Sequence, residues 1–566
     1  MTAGTPLVDI EGLSVRFGAD GPAVVHDVDL VVHPGECVAL VGESGSGKSV
    51  TARSLINLAG PGARTTSRRL LIGGEDASRF DAARWRRLRG TFAGLVMQDA
   101  LTSLDPLRTI GQEVAEVVVH HRLPVGRRRI GELVADTLAR VGVPEPEVRA
   151  RQYAHQLSGG LRQRALIASA IAGQPRLIIA DEPTTALDAT VQAQVIAVLK
   201  DRVREGAGLL LISHDLAVVA GIADRVHVMR AGRVVDAGPT AEVLARPRHP
   251  YTRQLIAAVP SPQARGSRLA SARIAPDDAG GPIRILREPL PARPAVSDEV
   301  VLEARGLTKT YRHRGGRNAT FTALEDVSFS IRAGEVVGLV GESGSGKSTC
   351  AKIVLGLLEP DRGSVRLLGE PWSGLSERAR RPRRAKLQYI PQDALSSFDP
   401  RYRVKDIVGE NLPGLDAAAG ARRIGTLLEQ VGLAPALAER HPRSLSGGQR
   451  QRVAIARALA AEPALVVCDE PVSALDVSIQ AQVVDLIAEL QAKLGTALLF
   501  ISHDLGLVRH MADRLIVLKD GRIVEAGDAI GVFDAPAHTY TRSLIASLPA
   551  PLLAGPASPH PIGTRL

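Results

Sequence analysis

The stretch Leu40-Val-Gly-Glu-Ser-Gly-Ser-Gly-Lys-Ser49 recurs unchanged as Leu339–Ser348. Each copy is a complete G-x-x-x-x-G-K-[ST] phosphate loop, with Lys48 and Lys347 as the paired lysines. Glycines at Gly42, Gly45 and Gly47, and again at Gly341, Gly344 and Gly346, let successive backbone N–H groups, those of Ser44 and Ser343 among them, turn inward around an anion. The helix expected behind each loop adds its positive end. The lysine then reaches the β- and γ-phosphates, and Ser49 or Ser348 offers a hydroxyl to Mg²⁺. The chain therefore handles a nucleoside triphosphate at two equivalent places.

Working outward, the motifs of the second half follow those of the first at a near-constant interval that shortens once, ahead of the Ser-Gly-Gly segments. Alternating apolar stretches open each half at Leu7–Phe17 and Val300–Tyr311, with second strands at Ala23–Val32 and Thr322–Ile331. Buried-strand runs follow at Leu177–Ala180, Leu209–Ile212, Leu465–Cys468 and Leu498–Ile501, with helical stretches between them. This alternation indicates α/β domains around a largely parallel sheet. A chain of 566 residues exceeds what one core supports, and the repeat divides it into domains at 1–260 and 299–550. Residues 261–298, rich in Pro, Arg, Ala and Gly, read as a tether, and 551–566 as a tail.

Composition narrows the class. No apolar run approaches the ~20 residues that cross a bilayer, and no export signal opens the chain, so any membrane process it serves takes its spanning helices from other chains. The net charge is +10, but the arginine runs at Arg84–Arg89 and Arg378–Lys386 lack interleaved aromatics and read as solvated faces. Cys37, Cys350 and Cys468 show no C-x-x-C spacing, which points to a reducing compartment, no metal site and small packing roles.

Further motifs carry the chemistry. Two apolar strands end in Asp181-Glu182-Pro and Asp469-Glu470-Pro. In each, the first carboxylate belongs near the Mg²⁺ shell and the second orients and polarises the attacking water. Two more strands end in Ser-His214-Asp and Ser-His503-Asp, placing an imidazole near the γ-phosphate. Ser158-Gly159-Gly160 and Ser446-Gly447-Gly448-Gln449 each precede a helical run and form a second anion-binding helix start.

With these segments the chain resembles the ATP-binding-cassette (ABC) ATPases over nearly its whole length. Leu-Ser-Gly-Gly matches that family's signature, Asp-Glu-Pro the end of its Walker B strand, and Asp188 and Asp476 close its D-loops. Gln98 and Gln392 match the Q-loop, which in the family senses Mg²⁺ and touches the transmembrane partner; Phe17 and Tyr311 fall where the family stacks an aromatic on adenine. The resemblance implies two P-loop NTPase (RecA-like) nucleotide-binding domains, each with an antiparallel β subdomain and a helical subdomain, packed head-to-tail. It also implies two composite sites for ATP and Mg²⁺. One joins Gly42–Ser49, Gln98, Asp181, Glu182 and His214 to Ser446–Gln449; the other joins Gly341–Ser348, Gln392, Asp469, Glu470 and His503 to Ser158–Leu161. Two departures distinguish them: Leu161 stands where the family has Gln, and Val50 where the second copy has Thr349.

Within the family, the segments after Gln98 and Gln392 and the domain ends His249-Pro-Tyr-Thr-Arg and His538-Thr-Tyr-Thr-Arg look like the dipeptide, oligopeptide and nickel importer branch. That likeness implies an ATPase working with two integral-membrane permease subunits and an extracytoplasmic solute-binding protein, peripheral on the cytoplasmic face of the cell membrane. Nucleic acid and an obligate homodimer are not expected. Some relatives carry a Cys-rich iron–sulfur loop after the His-Pro-Tyr segment; this chain has no Cys beyond Cys468, so no cluster is expected. A soluble tandem ATPase acting on ribosomes or nucleic acid is the alternative, but the ribosome-acting kind would call for a long charged linker. A tandem sugar-importer ATPase would call for a degenerate second site, whereas Lys347 and Glu470 are both present.

Overall fold

A computed structural model describes residues 5–18, 21–98, 100–126, 129–184, 187–274, 285–312, 320–412, 414, 416–473 and 475–547. The tail read at 551–566 lies outside them.

Each half begins with an antiparallel sheet. In the first, Val8–Phe17 pairs with Ala23–Val32 on one side and with Ala63–Thr66 and Arg69–Ile72 on the other. The alternation seen in sequence has its cause here, because Val8, Ile10, Leu13 and Val15 all point into one core. The second half repeats the arrangement with Val300–Arg312 between Thr320–Arg332 and Arg362–Leu367.

The second sheet of each half is mostly parallel and positions the chemistry. Its order in the first half is Arg233–Pro239, Arg225–Arg230, Cys37–Val41, Gly208–Ile212, Leu177–Asp181, Ala93–Val96, with only the first pair antiparallel. The strand feeding the phosphate loop thus lies beside the one leading to His214, which lies beside the one ending in Asp181. The second half has the same neighbours: Val336–Val340, Ala497–Ile501 and Leu465–Asp469. Strands covered on both faces read as unbroken apolar runs, and all five residues of Cys37–Val41 are buried. A helical layer completes each half: Ile110–His120, Ile130–Arg140 and Gly159–Ile171 share one core, and Val404–Gly409, Ala417–Gln430 and Gly447–Ala460 another. Cys37, Cys350 and Cys468 are buried and unpaired.

Two expectations need correction. The segment read as a tether is, in its described part, a strap packed on the second half. Ala264 and Leu269 join that half's core, and the Asp485 carboxylate accepts hydrogen bonds from the N–H groups of Leu269 and Ala270, each at 2.8 Å. Arg268 pairs with Glu489, and Arg265 and Arg293 both reach Asp513. A few small apolar residues among turns make no period, so burial of this kind leaves no sequence signature. The run Arg378–Lys386 is not simply a solvated face either. Arg380 is buried, donates to the carbonyls of Trp372 and Gly356 and pairs with Glu359, while Arg383 and Arg384 lie 5.8 and 5.7 Å from the centre of the Trp372 ring. These arginines cage a buried tryptophan through cation–π contacts.

Candidate nucleotide sites

Both phosphate loops have the conformation their glycines require. A Cβ on Gly42 would sit 2.1 Å from the Met229 carbonyl oxygen, and one on Gly341 2.2 Å from that of Leu518, so only glycine fits against those strands. At Gly45 and Gly344, with φ of +80° and +85°, a Cβ would meet nothing within 4 Å. That side of each loop is open, where a phosphate loop presents its backbone N–H groups. Helices Lys48–Ser54 and Lys347–Val354 begin immediately behind. Lys48 Nζ donates to the carbonyls of Gly42 and Glu43 at 2.8 and 2.7 Å, and Lys347 to those of Gly341 and Glu342 at 2.7 and 2.8 Å. Burial lowers the pKa of both lysines, against the pull of the nearby carboxylates.

The strand ends bring the predicted acids to the loop. Ser49 Oγ donates to Asp181 Oδ1 at 2.7 Å, and Gln98 Nε2 donates to Glu182 Oε2 at 2.8 Å. His214 Nδ1 lies 3.5 Å from the same oxygen. In the second half Gln392 Nε2 donates to Glu470 Oε2 at 2.9 Å, and His503 Nδ1 lies 3.2 Å from it. Glu182 and Glu470 have φ of 50° and 48°, the left-handed region that non-glycine residues seldom occupy. Such strain persists where surrounding contacts impose it, and functional sites are where it collects. Burial of Asp469, followed by the charge of Glu470, raises its pKa. Ser49, Asp181 and Gln98, and Ser348, Asp469 and Gln392, carry hydroxyl, carboxylate and amide oxygens of the kind that suits Mg²⁺.

The helix starts at the Ser-Gly-Gly segments are formed as well. Ser158 caps helix Gly159–Ile171 and Ser446 caps helix Gly447–Ala460. Gln449 Oε1 also accepts from Ser446 N–H at 3.0 Å, closing a reciprocal capping box that Leu161 cannot make. The halves touch through the segments that begin the next helices. Asp188 Oδ2 accepts from the N–H of Ser343 in the second phosphate loop at 3.0 Å. Ser478 Oγ donates to Oε1 of Glu43 in the first at 2.7 Å. Each phosphate loop is therefore met by a segment of the other half. Phe17 ends its strand and Tyr311 is the next-to-last residue of its own; Tyr311 is exposed and Phe17 half-buried.

Three features lay beyond the sequence reading. Arg53 donates to Asp181 Oδ2 from Nη2 at 2.8 Å and Nε at 3.1 Å. Its place four residues after Ser49 puts both on one helix face, a spacing visible in sequence. Lys352 stands at the matching place, and Asp469 instead accepts a 3.4 Å bond from the Tyr389 hydroxyl. The cross-half partners Glu43 and Ser478 carry no signal of their own. Finally, the tyrosines of the His-Pro-Tyr and His-Thr-Tyr segments reach the phosphate loops: Tyr251 accepts from Glu43 N–H at 2.9 Å and Tyr540 from Glu342 N–H at 3.0 Å.

Comparison with known proteins agrees with this geometry. The family described as ABC transporter matches residues 25–185 and 324–473, and the one described as oligopeptide/dipeptide transporter, C-terminal region, matches 235–280 and 524–555. The chain belongs to the ABC transporter family and is an ATP-binding ATPase of tandem form. Among its relatives, the peptidoglycan transport ATP-binding protein YejF of Agrobacterium fabrum is 41% identical, with 96% of each chain covered. The oligopeptide transport ATP-binding protein OppD of Mycobacterium tuberculosis is 40% identical over 97% of this chain and 99% of its own. The glutathione import ATP-binding protein GsiA of Salmonella typhimurium is 40% identical over 96% and 89%. In fold alone, the solved RNase-L Inhibitor is similar over 92% of this chain and 90% of its own, with a TM-score of 0.58 at 23% identity. Among the described residues no helix is long and apolar enough to cross a membrane.

Proposed function

We propose that this chain is the paired ATPase of an importer for peptides or a chemically related solute, with both ATP sites built across the interface between its halves. The observation that carries the composite sites is the reciprocal contact of Asp188 with Ser343 and of Ser478 with Glu43, because it brings each phosphate loop to the opposite half. The peptide class rests on the two C-terminal extension matches and on relatives named for peptidoglycan, oligopeptide and glutathione transport.

At the first site, Lys48 and the loop amides hold the β- and γ-phosphates, while Ser446, Gly447, Gly448 and Gln449 approach from the other half. Bound Mg²⁺, held by Ser49, Asp181 and Gln98, would neutralise charge on the phosphate oxygens. Glu182, oriented by Gln98 and His214, takes a proton from the attacking water. Phe17 stacks on the adenine, a contact worth about 1–3 kcal/mol. At the second site the same roles fall to Lys347, Ser348, Asp469, Gln392, Glu470, His503 and Tyr311, with Ser158, Gly159 and Gly160 opposite; Thr349 adds a hydroxyl where Val50 has none. Closure of the halves moves two permease subunits at the cytoplasmic face of the membrane, and a separate binding protein delivers the solute. Co-purification of the tagged chain from cells tests the assembly: recovery with membrane permeases supports it, and recovery with ribosomes instead contradicts it.

A further inference from the structure

The tyrosine of each C-terminal extension is fixed with unusual care. Asp236 accepts from the N–H groups of Arg248 and His249, and His249 Nδ1 then accepts from Tyr251 N–H at 3.1 Å, capping helix Pro250–Ala257. Glu525, His538 and Tyr540 repeat the pattern at helix Thr539–Ala546. The ring of Tyr251 is 1% exposed under the Arg230 guanidinium, 5.0 Å from its centroid, and Lys519 Nζ lies 4.7 Å from that of Tyr540. All of this aims a hydroxyl at one backbone N–H in the phosphate loop of the same half.

That N–H belongs to a junction. The Glu43 carbonyl accepts from Lys48, its N–H is taken by Tyr251, and its side chain accepts from Ser478 of the opposite half. In the second loop the Glu342 carbonyl accepts from Lys347 and its N–H donates to Tyr540, while the neighbouring Ser343 N–H meets Asp188 of the opposite half. We propose that Tyr251 and Tyr540 are positioning residues that tie each C-terminal extension to its phosphate loop, setting nucleotide affinity and the loop's contact with the opposite half. The idea rests on the assignment of these loops as the ATP sites. Because the hydroxyl satisfies a loop amide, its removal leaves that N–H without its partner while the ring still fills its place.

Tyr251→Phe and Tyr540→Phe test this, read first by residue-resolved hydrogen exchange on the nucleotide-free chain. The Glu43 amide should exchange about tenfold faster in the first variant, and the Glu342 amide in the second, each leaving the matching amide of the other loop unchanged. Equilibrium binding of ATP should weaken by a comparable factor at the altered site, and KM should rise while kcat holds. Unchanged exchange at Glu43 and Glu342, or a fall in kcat and in folded protein at constant KM, would overturn the proposal in favour of a packing role. Lys48→Ala serves as the control on the underlying assignment. If it leaves ATP affinity intact, the loop is not the nucleotide site and the proposal falls with it; if it abolishes first-site binding, a failure of the tyrosine variants counts against the tyrosines alone.

Discussion

Arg53 grips Asp181 with two nitrogens, at 2.8 and 3.1 Å, on an oxygen distinct from the one Ser49 reaches. Asp181 is fully buried while Arg53 is 35% exposed. Asp469, at the equivalent place, has no such fork and faces Lys352. The two sites thus hold the same carboxylate beside a cation but through different hydrogen bonds.

Arg53→Lys should make the first site resemble the second. Freed of the two-pronged bond, Asp181 should engage a cation more readily. In a Glu470→Gln background, half-saturation by Mg²⁺ is expected at a concentration about two- to fivefold lower, the modest scale of a partly exposed ion pair. A titration of ATP hydrolysis against Mg²⁺ checks this; an unchanged midpoint would mean that Arg53 does not compete for the carboxylate.

Both acid pairs are complete, so both sites should hydrolyse ATP. Glu182→Gln and Glu470→Gln should each lower the rate substantially, and the double variant should fall by about 100-fold or more while still binding ATP. Steady-state phosphate release is the assay. A single variant with full activity would show that its site does not turn over.

The His503–Glu470 pair predicts a pH dependence with a definite sign. Burial disfavours the charged imidazole, yet the hydrogen bond and charge of Glu470, with that of Asp504, raise the His503 pKa above 6.5, Lys347 opposing. For Glu470 burial acts upward, but His503 and Lys347 hold it below 4.5. The His503 contribution is therefore fully present below its unfolded value and lost as pH rises through the raised native one; that of Glu470 is present above 4.5 and lost as pH falls through the depressed one. The difference in Tm between wild type and His503→Gln should shrink as pH rises above 6.5 through the raised native value. A difference that grows over that interval would contradict the pairing.

Asp485 anchors the strap by accepting two backbone N–H bonds. Asp485→Ala leaves both amides without partners in a buried setting, at a cost of roughly 1–3 kcal/mol for each. Limited proteolysis should then cut between residues 261 and 274 much faster than in wild type. Equal cleavage rates would show that the strap is held by its apolar residues alone.

What could be read in the sequence was whatever is contiguous. The phosphate loops, the Asp-Glu strand ends and the Ser-Gly-Gly helix starts each carry their chemistry within a few neighbouring residues, and the parallel sheet of each half sets the phosphate loop beside the Asp-Glu strand end. The left-handed backbone of Glu182 and Glu470 is imposed by tertiary context on residues that do not prefer it. The strap and the arginines around Trp372 were misread because residues such as Leu269 and Arg380 owe their burial to partners distant in sequence. Only Arg53 was within reach, through its four-residue spacing from Ser49.

In the proposed arrangement each phosphate loop is completed by the Ser-Gly-Gly signature of the opposite half. ATP retained per chain, measured in a Glu182→Gln/Glu470→Gln background, tests it most directly. Lys48→Ala combined with Ser446→Arg strikes one composite site twice and should leave the other site loaded. Lys48→Ala combined with Ser158→Arg strikes both and should leave neither. The opposite pattern, with nucleotide retained only in the Lys48→Ala/Ser158→Arg chain, would show that each half closes its own site and that the sites are not shared.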